Sequence, residues 1–272
     1  MEQAARDWYT ADDKRKSRAR RQPERKDPAE VSYTTYDDFA WFYDRYLGGT
    51  FLSKYERVLR DLFAARVKRE RSVLDLCCGT GQITQWLTQE GYKVTGVDGS
   101  RKMLELAQKN APEATFHCRD IRDFKIINMF HAALCTFDSM NHVMSLQELT
   151  SVFNNVYGAL RTGGLFVFDV NTDDGFKARW AGTTSIIAKD HVLASEMTYD
   201  PKRREGRATF AAFRSEKHRW SRADVVVAEK AYTQIEIERR LAKSQFKSIR
   251  AYDAQRDFKL KDVGRVFFVC EK

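Results

Sequence analysis

VLDLCCGTGQITQWL, residues 73–87, is the stretch whose reading decides the fold. It opens in a short apolar run, Ser72 to Leu76. A glycine loop follows, Cys77-Cys-Gly-Thr-Gly81. From Gln82 to Gln89 the apolar residues Ile83, Trp86 and Leu87 recur at helical spacing. A short buried strand that turns through glycines into a helix reads as the first unit of a βαβ sheet. Gly79 and Gly81 remove side chains where the backbone must turn and a ligand could approach. The helix start beyond them offers unpaired N–H groups. In an open parallel sheet, ligands bind beyond the carboxyl ends of the strands.

Two acids narrow the ligand. A dinucleotide fingerprint is GxGxxG, but the register here is Gly79-Thr-Gly-Gln-Ile-Thr84, without the third glycine. Asp75 stands in the approach to the loop, where a carboxylate would repel a pyrophosphate but suits a cationic ammonium. Asp98 ends the next apolar run, 17 positions past Gly81. An acid there can accept two ribose hydroxyls. Ser100 is the better cap for the helix that follows, which leaves Asp98 for the ribose. Together these features point to S-adenosylmethionine rather than NAD.

Working outward, short apolar runs alternate with helical patterns. Strands are expected at Lys93–Val97, Ala114–Cys118, His131–Cys135 and Leu165–Val170, with helices at Ser100–Lys109 and Leu146–Leu160. This is a doubly wound α/β pattern with helices on both faces of a parallel sheet. Before the glycine loop, Tyr33 to Leu47 places Phe39, Phe42, Tyr43 and Tyr46 on one helical face. A second helix is expected over Ser53–Val67. After Asn171 the pattern changes to strands at Val192–Tyr199, Arg207–Phe213 and His218–Val227, around a turn at residues 200–206. That is an antiparallel insertion, long for a loop and placed where function concentrates. A helix at Thr233–Ala242 and strands at Phe246–Tyr252 and Arg265–Cys270 would close the sheet. The expected organisation is a basic arm over 1–30, a helical cap and cofactor-binding α/β region over 31–170, an antiparallel β lid over 171–231, and the end of the α/β region over 232–272.

Composition sets the outer bounds. A chain of 272 residues, 43% hydrophobic, can bury a core without disulfides or metals. Cys77, Cys78, Cys118, Cys135 and Cys270 form no CxxC pair and their odd number argues against a disulfide framework. No zinc site is expected. No apolar run approaches the length of a membrane span and the N-terminus lacks an apolar signal core, so a soluble, cytoplasmic protein is expected. The formal charge is +9, and Lys14 to Lys26 alone holds eight basic residues against Glu24. Such a charge-rich, apolar-poor arm is expected to be solvated, though it could touch nucleic acid.

With these residues in view, the chain resembles class I S-adenosylmethionine-dependent methyltransferases. VLDLCCGTGQITQWL, VTGVDGSRKMLELA, HCRDIRDF, FHAALCTFDSMNHV and LRTGGLFVFDVNT are similar to successive motifs of that superfamily. The likeness is strongest from 72 to 171. It is nearest to sugar-amine N,N-dimethyltransferases and to uncharacterised bacterial small-molecule methyltransferases. Tyr36-Asp-Asp-Phe-Ala-Trp-Phe-Tyr-Asp44 matches their leading Y-x-x-x-A-x-x-Y-D helix, and the insertion matches their antiparallel sheet. The resemblance implies a Rossmann-like seven-stranded sheet, mostly parallel with an antiparallel last strand. It implies that Asp75, Gly79 and Gly81 hold the methionine part of the cofactor, with Thr80 a contact in the same loop. Asp98 would hold the ribose, Met103 would lie against the adenine, and Asp120 and Ile121 would contact its amino group and ring nitrogen. Cys135 would offer backbone to the methionine end. Tyr36 and Tyr43 would close over the carboxylate and sulfonium.

The resemblance implies transfer of a methyl group to a nitrogen or oxygen of a small molecule, with S-adenosylhomocysteine as product. The catalytic candidates are His142, which matches a histidine of the sugar-amine relatives, and Tyr36. Asp169 and Asn171, ending the fifth strand, would lie over the same pocket. Residues 135–139, Cys-Thr-Phe-Asp-Ser, replace the [N/D]-P-P-[Y/F] of amino-methylating DNA enzymes, which argues against that device. Two readings compete. One is an RNA-directed methyltransferase that grips phosphates with the arm and with Lys202, Arg203 and Arg204. The other is a non-catalytic S-adenosylmethionine-binding protein, since fold alone does not establish activity. The sequence singles out neither a monomer nor a homodimer, and it expects no membrane partner.

Overall fold

The computed structural model describes residues 36–68, 71–217 and 219–272. The expected basic arm and the helix start at Tyr33 lie outside these residues, as does His218. Among the described residues, no helix is long and apolar enough to cross a membrane.

Seven strands form one sheet. They are β1 (Ser72–Leu76), β2 (Lys93–Asp98), β3 (Thr115–Cys118), β4 (Phe130–Cys135), β5 (Leu160–Asn171), β10 (Ser248–Asp253) and β11 (Arg265–Glu271), in the order β10-β11-β5-β4-β1-β2-β3. β1 pairs in parallel with β2 and β4, while β11 runs antiparallel to both β5 and β10. The expected sheet is therefore present, and β11 is its antiparallel member. The order reverses direction between β1 and β4, the switch point where such sheets bind ligands.

Helices cover the sheet because their apolar stripes have nowhere else to go. α3 (Gln82–Gln89) follows β1, α4 (Arg101–Asn110) follows β2, α5 (Leu146–Ala159) precedes β5, and α7 (Gln234–Lys243) precedes β10. Ser100 caps α4 by accepting from Met103 N–H, as expected of it. Thr233 and Glu236 form a reciprocal capping box at the start of α7. One core cluster, with Leu74, Phe153, Phe166, Phe168 and Phe268, lies under α5 and α7. Another, with Phe63, Trp86, Leu87 and Phe267, lies on the opposite face.

The leading helices differ from expectation. The aromatic helix α1 spans only Ala40–Tyr46, and residues 36–39 are a turn. The reason is tertiary. The Asp37 carboxylate accepts from Ser100 Oγ (2.5 Å) and from Lys102 N (3.1 Å), which ties this segment to the start of α4. α2 begins at Gly48 rather than Ser53 and runs to Leu59, followed by a π-helical turn over Arg60–Ala64. At Gly48 a Cβ would stand 2.6 Å from the terminal amide of Gln82, which would have to shift to admit it.

After β5 comes α6 (Asp173–Arg179), then a four-stranded antiparallel sheet: β6 (Gly182–Ile187), β7 (His191–Asp200), β8 (Glu205–Glu216) and β9 (Arg219–Lys230). Period-2 alternation turns Leu193, Ala208, Phe210, Val225 and Val227 inward, where they pack with Phe39 and Phe42 of the leading segment and with Phe176 and Trp180. The expected insertion is thus a sheet with one buried face. α8 (Ala254–Phe258) completes the chain's elements before β11.

Candidate active site

A cavity of about 440 Å³ lies at the carboxyl ends of β1, β2 and β4, under the inserted sheet. That volume falls within the range of small-molecule and cofactor sites. At one end it is lined by Gly79, Asp98, Met103, Asp120 and Ile121. Tyr36, Tyr43 and His142 stand at its middle, and residues of α2, β5, the inserted sheet and the start of β11 line the other end.

The first end is built mainly from backbone. Asp98 ends β2, and its carboxylate accepts from Gly79 N–H (2.9 Å) and Ser100 N–H (2.8 Å), one on each oxygen. Each oxygen keeps a further lone pair for a donor in the cavity. Burial pushes the Asp98 carboxyl up, and those backbone bonds pull it back. Gly79 adopts φ +53°, and a Cβ there would stand 3.2 Å from the Tyr43 ring. It therefore lets Tyr43 and the loop meet at the cavity wall.

The rest of the loop serves its own architecture. Gly81 adopts φ +87°, and a Cβ would fall 2.9 Å from Ala107 Cα. Its missing side chain makes room for α4, and it does not line the cavity. Thr80 is fully buried. Its hydroxyl donates to Gln82 Oε1 (2.8 Å), while its carbonyl accepts from Asn110 Nδ2 (2.8 Å). Asp44 of α1 accepts from the Gln82 and Asn110 amides, 2.8 Å each, so the leading helix clamps the loop. Asp75 lies beneath it, 1% exposed, accepting from the Thr84 hydroxyl at 2.6 Å. Thr84 occupies the position where a dinucleotide fingerprint has its third glycine. Burial, opposed by that hydrogen bond, pushes the Asp75 carboxyl up to about 7. Cys135 is wholly buried beside Cys77. Asp75, Thr80, Gly81 and Cys135, expected to touch a cofactor, are thus outside the lining of the cavity, while Gly79, Asp98, Met103, Asp120, Ile121, Tyr36 and Tyr43 are within it. Asp120 is also engaged by Arg122, whose guanidinium donates to both of its oxygens.

At the middle, the chain after β4 carries a sharp loop. Phe137 and Asp138 both adopt positive φ, +62° and +49°. Two such residues in succession are strained without glycine. The Asp169 carboxylate offsets this by accepting both of their N–H groups, at 2.7 and 3.0 Å. A one-turn 3₁₀ helix over Ser139–His142 follows. Asn141 anchors it by donating to the carbonyls of Asn171 and Lys230, 2.8 Å each.

His142 is thereby held by both ring nitrogens. Nδ1 lies 3.3 Å from the Ala228 carbonyl, which can only accept, so Nδ1 carries the proton in the neutral ring. Nε2 is then an acceptor, and the Tyr36 hydroxyl stands 3.1 Å from it. Burial lowers the affinity of His142 for a second proton. Burial and nearby Glu229 raise Tyr36 well above the usual phenol range, so its hydroxyl stays protonated. Tyr36 meets Tyr43 edge-on with ring centroids 6.3 Å apart.

The far end holds residues that sequence reasoning missed. Arg265, at the start of β11, is buried and paired with Asp169 and, at 3.2 Å, with Asp138. Asp262 receives Lys54 (2.9 Å) and Arg179 (2.8 Å). Glu229 is 7% exposed, with its Oε1 3.7 Å from His142 Nε2. One signal was available. Glu229 continues the inward series Val225, Val227 of β9, so a charge falls where the alternation calls for an apolar side chain. Among the described residues, no cluster suited to a metal ion occurs. Arg203 and Arg204, which an RNA reading would set on phosphates, pair with Glu205 and Glu236.

Residues 73–164 match the family described as a methyltransferase domain. The chain is 30% identical over 152 residues to a dTDP-3-amino-3,4,6-trideoxy-alpha-D-glucopyranose N,N-dimethyltransferase of Streptomyces venezuelae, covering 56% of this chain and 63% of the relative. It is 32% identical over 149 residues to a dTDP-3-amino-3,6-dideoxy-alpha-D-glucopyranose N,N-dimethyltransferase of Streptomyces fradiae, covering 50% and 58%. The matched stretches span less than two thirds of these relatives. The fold is shared with the crystal structure of an S-adenosylmethionine-dependent methyltransferase from Clostridium acetobutylicum ATCC 824. There the TM-score is 0.72 at 22% identity, covering 87% of this chain and 98% of that one.

Proposed function

For a chain whose residues 73–164 carry a methyltransferase domain, set in a fold shared with S-adenosylmethionine-dependent methyltransferases, we propose that it transfers a methyl group from S-adenosylmethionine to a small-molecule acceptor. The observation that carries this reading is the single cavity running from Asp98 past Tyr36 and His142 to the residues under the inserted sheet. It offers two reactants adjoining places in one chamber.

The residues fit the cofactor. Asp98 keeps lone pairs for ribose hydroxyls beyond its two backbone donors. Met103 and Ile121 are apolar surfaces suited to the purine, and Asp120 is an acceptor suited to its amino group. Tyr36 and Tyr43 present neutral aromatic rings, which suit a neighbouring cation. When bound, S-adenosylmethionine supplies an electrophilic methyl group on a cationic sulfur.

The chain's own part is to align the acceptor and exclude water. His142 holds a defined tautomer, with Nε2 able to accept from Tyr36 or from an acceptor N–H or O–H. Because burial lowers its proton affinity, His142 is a weak base. A hydroxyl acceptor would need a stronger one, whereas an amine carries its own lone pair. The site therefore favours nitrogen over oxygen, in keeping with the N-methylating relatives. Tyr36 positions His142, and the inward face of the inserted sheet closes the chamber over both.

The test is His142→Ala. Turnover should fall about 100-fold, while affinity for S-adenosylhomocysteine should stay within about twofold. An unchanged rate removes His142 from the mechanism. In a parallel thermal-shift comparison of S-adenosylmethionine, S-adenosylhomocysteine and NAD, stabilisation by NAD alone would overturn the cofactor assignment.

A further inference from the structure

The far end of the cavity carries charges that methyl transfer as such does not use. Among the described residues three cations line it, and each has a carboxylate partner, although Arg265 Nε itself makes no hydrogen bond. Lys54 Nζ donates to Asp262 Oδ2 at 2.9 Å. Arg179 reaches Asp262 Oδ1 at 2.8 Å and Asn171 Oδ1 at 2.5 Å. Arg265 is held by Asp169, by Asp138 at 3.2 Å and by Asp262 at 3.3 Å.

Glu229 differs from the other acids there in having no Lys or Arg partner among the described residues; its nearest titratable neighbour is His142, at 3.7 Å. Its carboxyl lines the cavity and is nine-tenths buried, and its Oε2 has no hydrogen-bond partner among the described residues. A buried carboxyl oxygen without a donor is costly. Burial, reinforced by Asp138, holds Glu229 well above the usual carboxylate range. The arrangement is completed by a donor that arrives with a ligand. Apolar side chains of Phe51, Trp180, Met197, Phe210 and Val227 line part of the same cavity.

We infer that Glu229 is the acceptor-binding carboxyl, that the acceptor is a small amine with an apolar body, and that the chamber rejects acceptors carrying a diphosphate. This rests on the methyltransferase reading for the identity of the chamber. An amine nitrogen donates to Glu229 Oε2 while its apolar part meets the aromatic walls. It then lies beside His142 Nε2, at the middle of the cavity. Among the described residues that line this far end, a diphosphate finds no cation without a carboxylate partner, and it would be buried beside Asp138, Asp262 and Glu229. In that respect the chamber differs from one that takes a nucleotide-linked amino sugar.

The experiment is calorimetric titration of the full chain saturated with S-adenosylhomocysteine. The probes are matched amine and alcohol pairs (benzylamine and benzyl alcohol, cyclohexylamine and cyclohexanol, phenethylamine and phenethyl alcohol), with thymidine diphosphate alongside. At least one amine should bind at least tenfold more tightly than its alcohol, and thymidine diphosphate should give no signal. Glu229→Gln should erase the amine preference and leave the S-adenosylhomocysteine Kd within twofold. Glu229→Asp should weaken the preference without erasing it. Binding of thymidine diphosphate, parity of every amine with its alcohol, absence of amine binding, or an undiminished preference in Glu229→Gln overturns the inference. Failure of the wild-type chain to take up S-adenosylhomocysteine is a different result, and it overturns the cofactor reading instead.

Discussion

The two ends of the cavity are made by different means. At the Asp98 end, the lining comes from one stretch, residues 79–121, and the key carboxylate is set by the N–H groups of Gly79 and Ser100. At the Glu229 end, α2, β5, α6, β9 and the segment before β11 each contribute, and side chains neutralise side chains 96 to 208 positions apart. A site set by backbone geometry can be shared by many enzymes of one fold, because few side chains must be right. A site made of matched charges is particular to its own chain. Losing one partner leaves another charge buried and unpaired.

That contrast is open to attack at three points. The largest effect is expected for Asp169→Ala, which leaves Arg265 without one of its carboxylates and the N–H groups of Phe137 and Asp138 without an acceptor. Urea unfolding should show a loss of about 5 kcal/mol. A loss below about 1 kcal/mol would mean that the far end is not held by its charges.

Next comes a pH effect beneath the loop. The carboxyl of Asp75 is pushed up to about 7 by burial, against about 3.9 in an unfolded chain. A raised folded value means that the folded state binds the extra proton. Its contribution is fully present below about pH 4 and lost as pH rises through about 7. Across that window the group removes about 4 kcal/mol of stability, and Asp75→Asn should abolish that part of the decline. Denaturant melts of both proteins from pH 4 to 8 check this. Parallel curves would place Asp75 in a wetter site than its burial implies.

Smaller again is Gly81→Ala, which separates packing from ligand approach. A Cβ would meet Ala107 at a φ that disfavours side chains. The expected cost is about 3 kcal/mol of stability. The Kd for S-adenosylhomocysteine, measured on protein kept folded, should change little. Loss of binding at full stability would return Gly81 to the ligand's wall.

The parts legible in the sequence were those governed by local pattern. The strand at Ser72–Leu76 and the helix at Gln82–Gln89 lie where the apolar spacing sets them, and Ser100 caps α4 as expected. Elements without such a pattern went unread. β6 is a mostly exposed edge strand, Gly-Thr-Thr-Ser-Ile-Ile, with no buried alternation to reveal it. α6 and α8 are too short to show a period.

The glycine loop shows the same division inside one motif. Its residues alone marked a strand-to-helix turn suited to a cofactor, with Asp98 at the following strand end. Only the tertiary structure decided that Gly79 borders the cavity while Gly81 admits α4, and that Asp75 serves Thr84 beneath the loop. It alone brought Arg265, Asp262 and Glu229 to the far end. Backbone conformation and apolar period are properties of neighbouring residues and can be read in order along the chain. Which face a residue such as Glu229 takes can be read from the alternation of its strand, but charge pairing depends on which distant segments the fold brings together, and the local order of residues does not encode that.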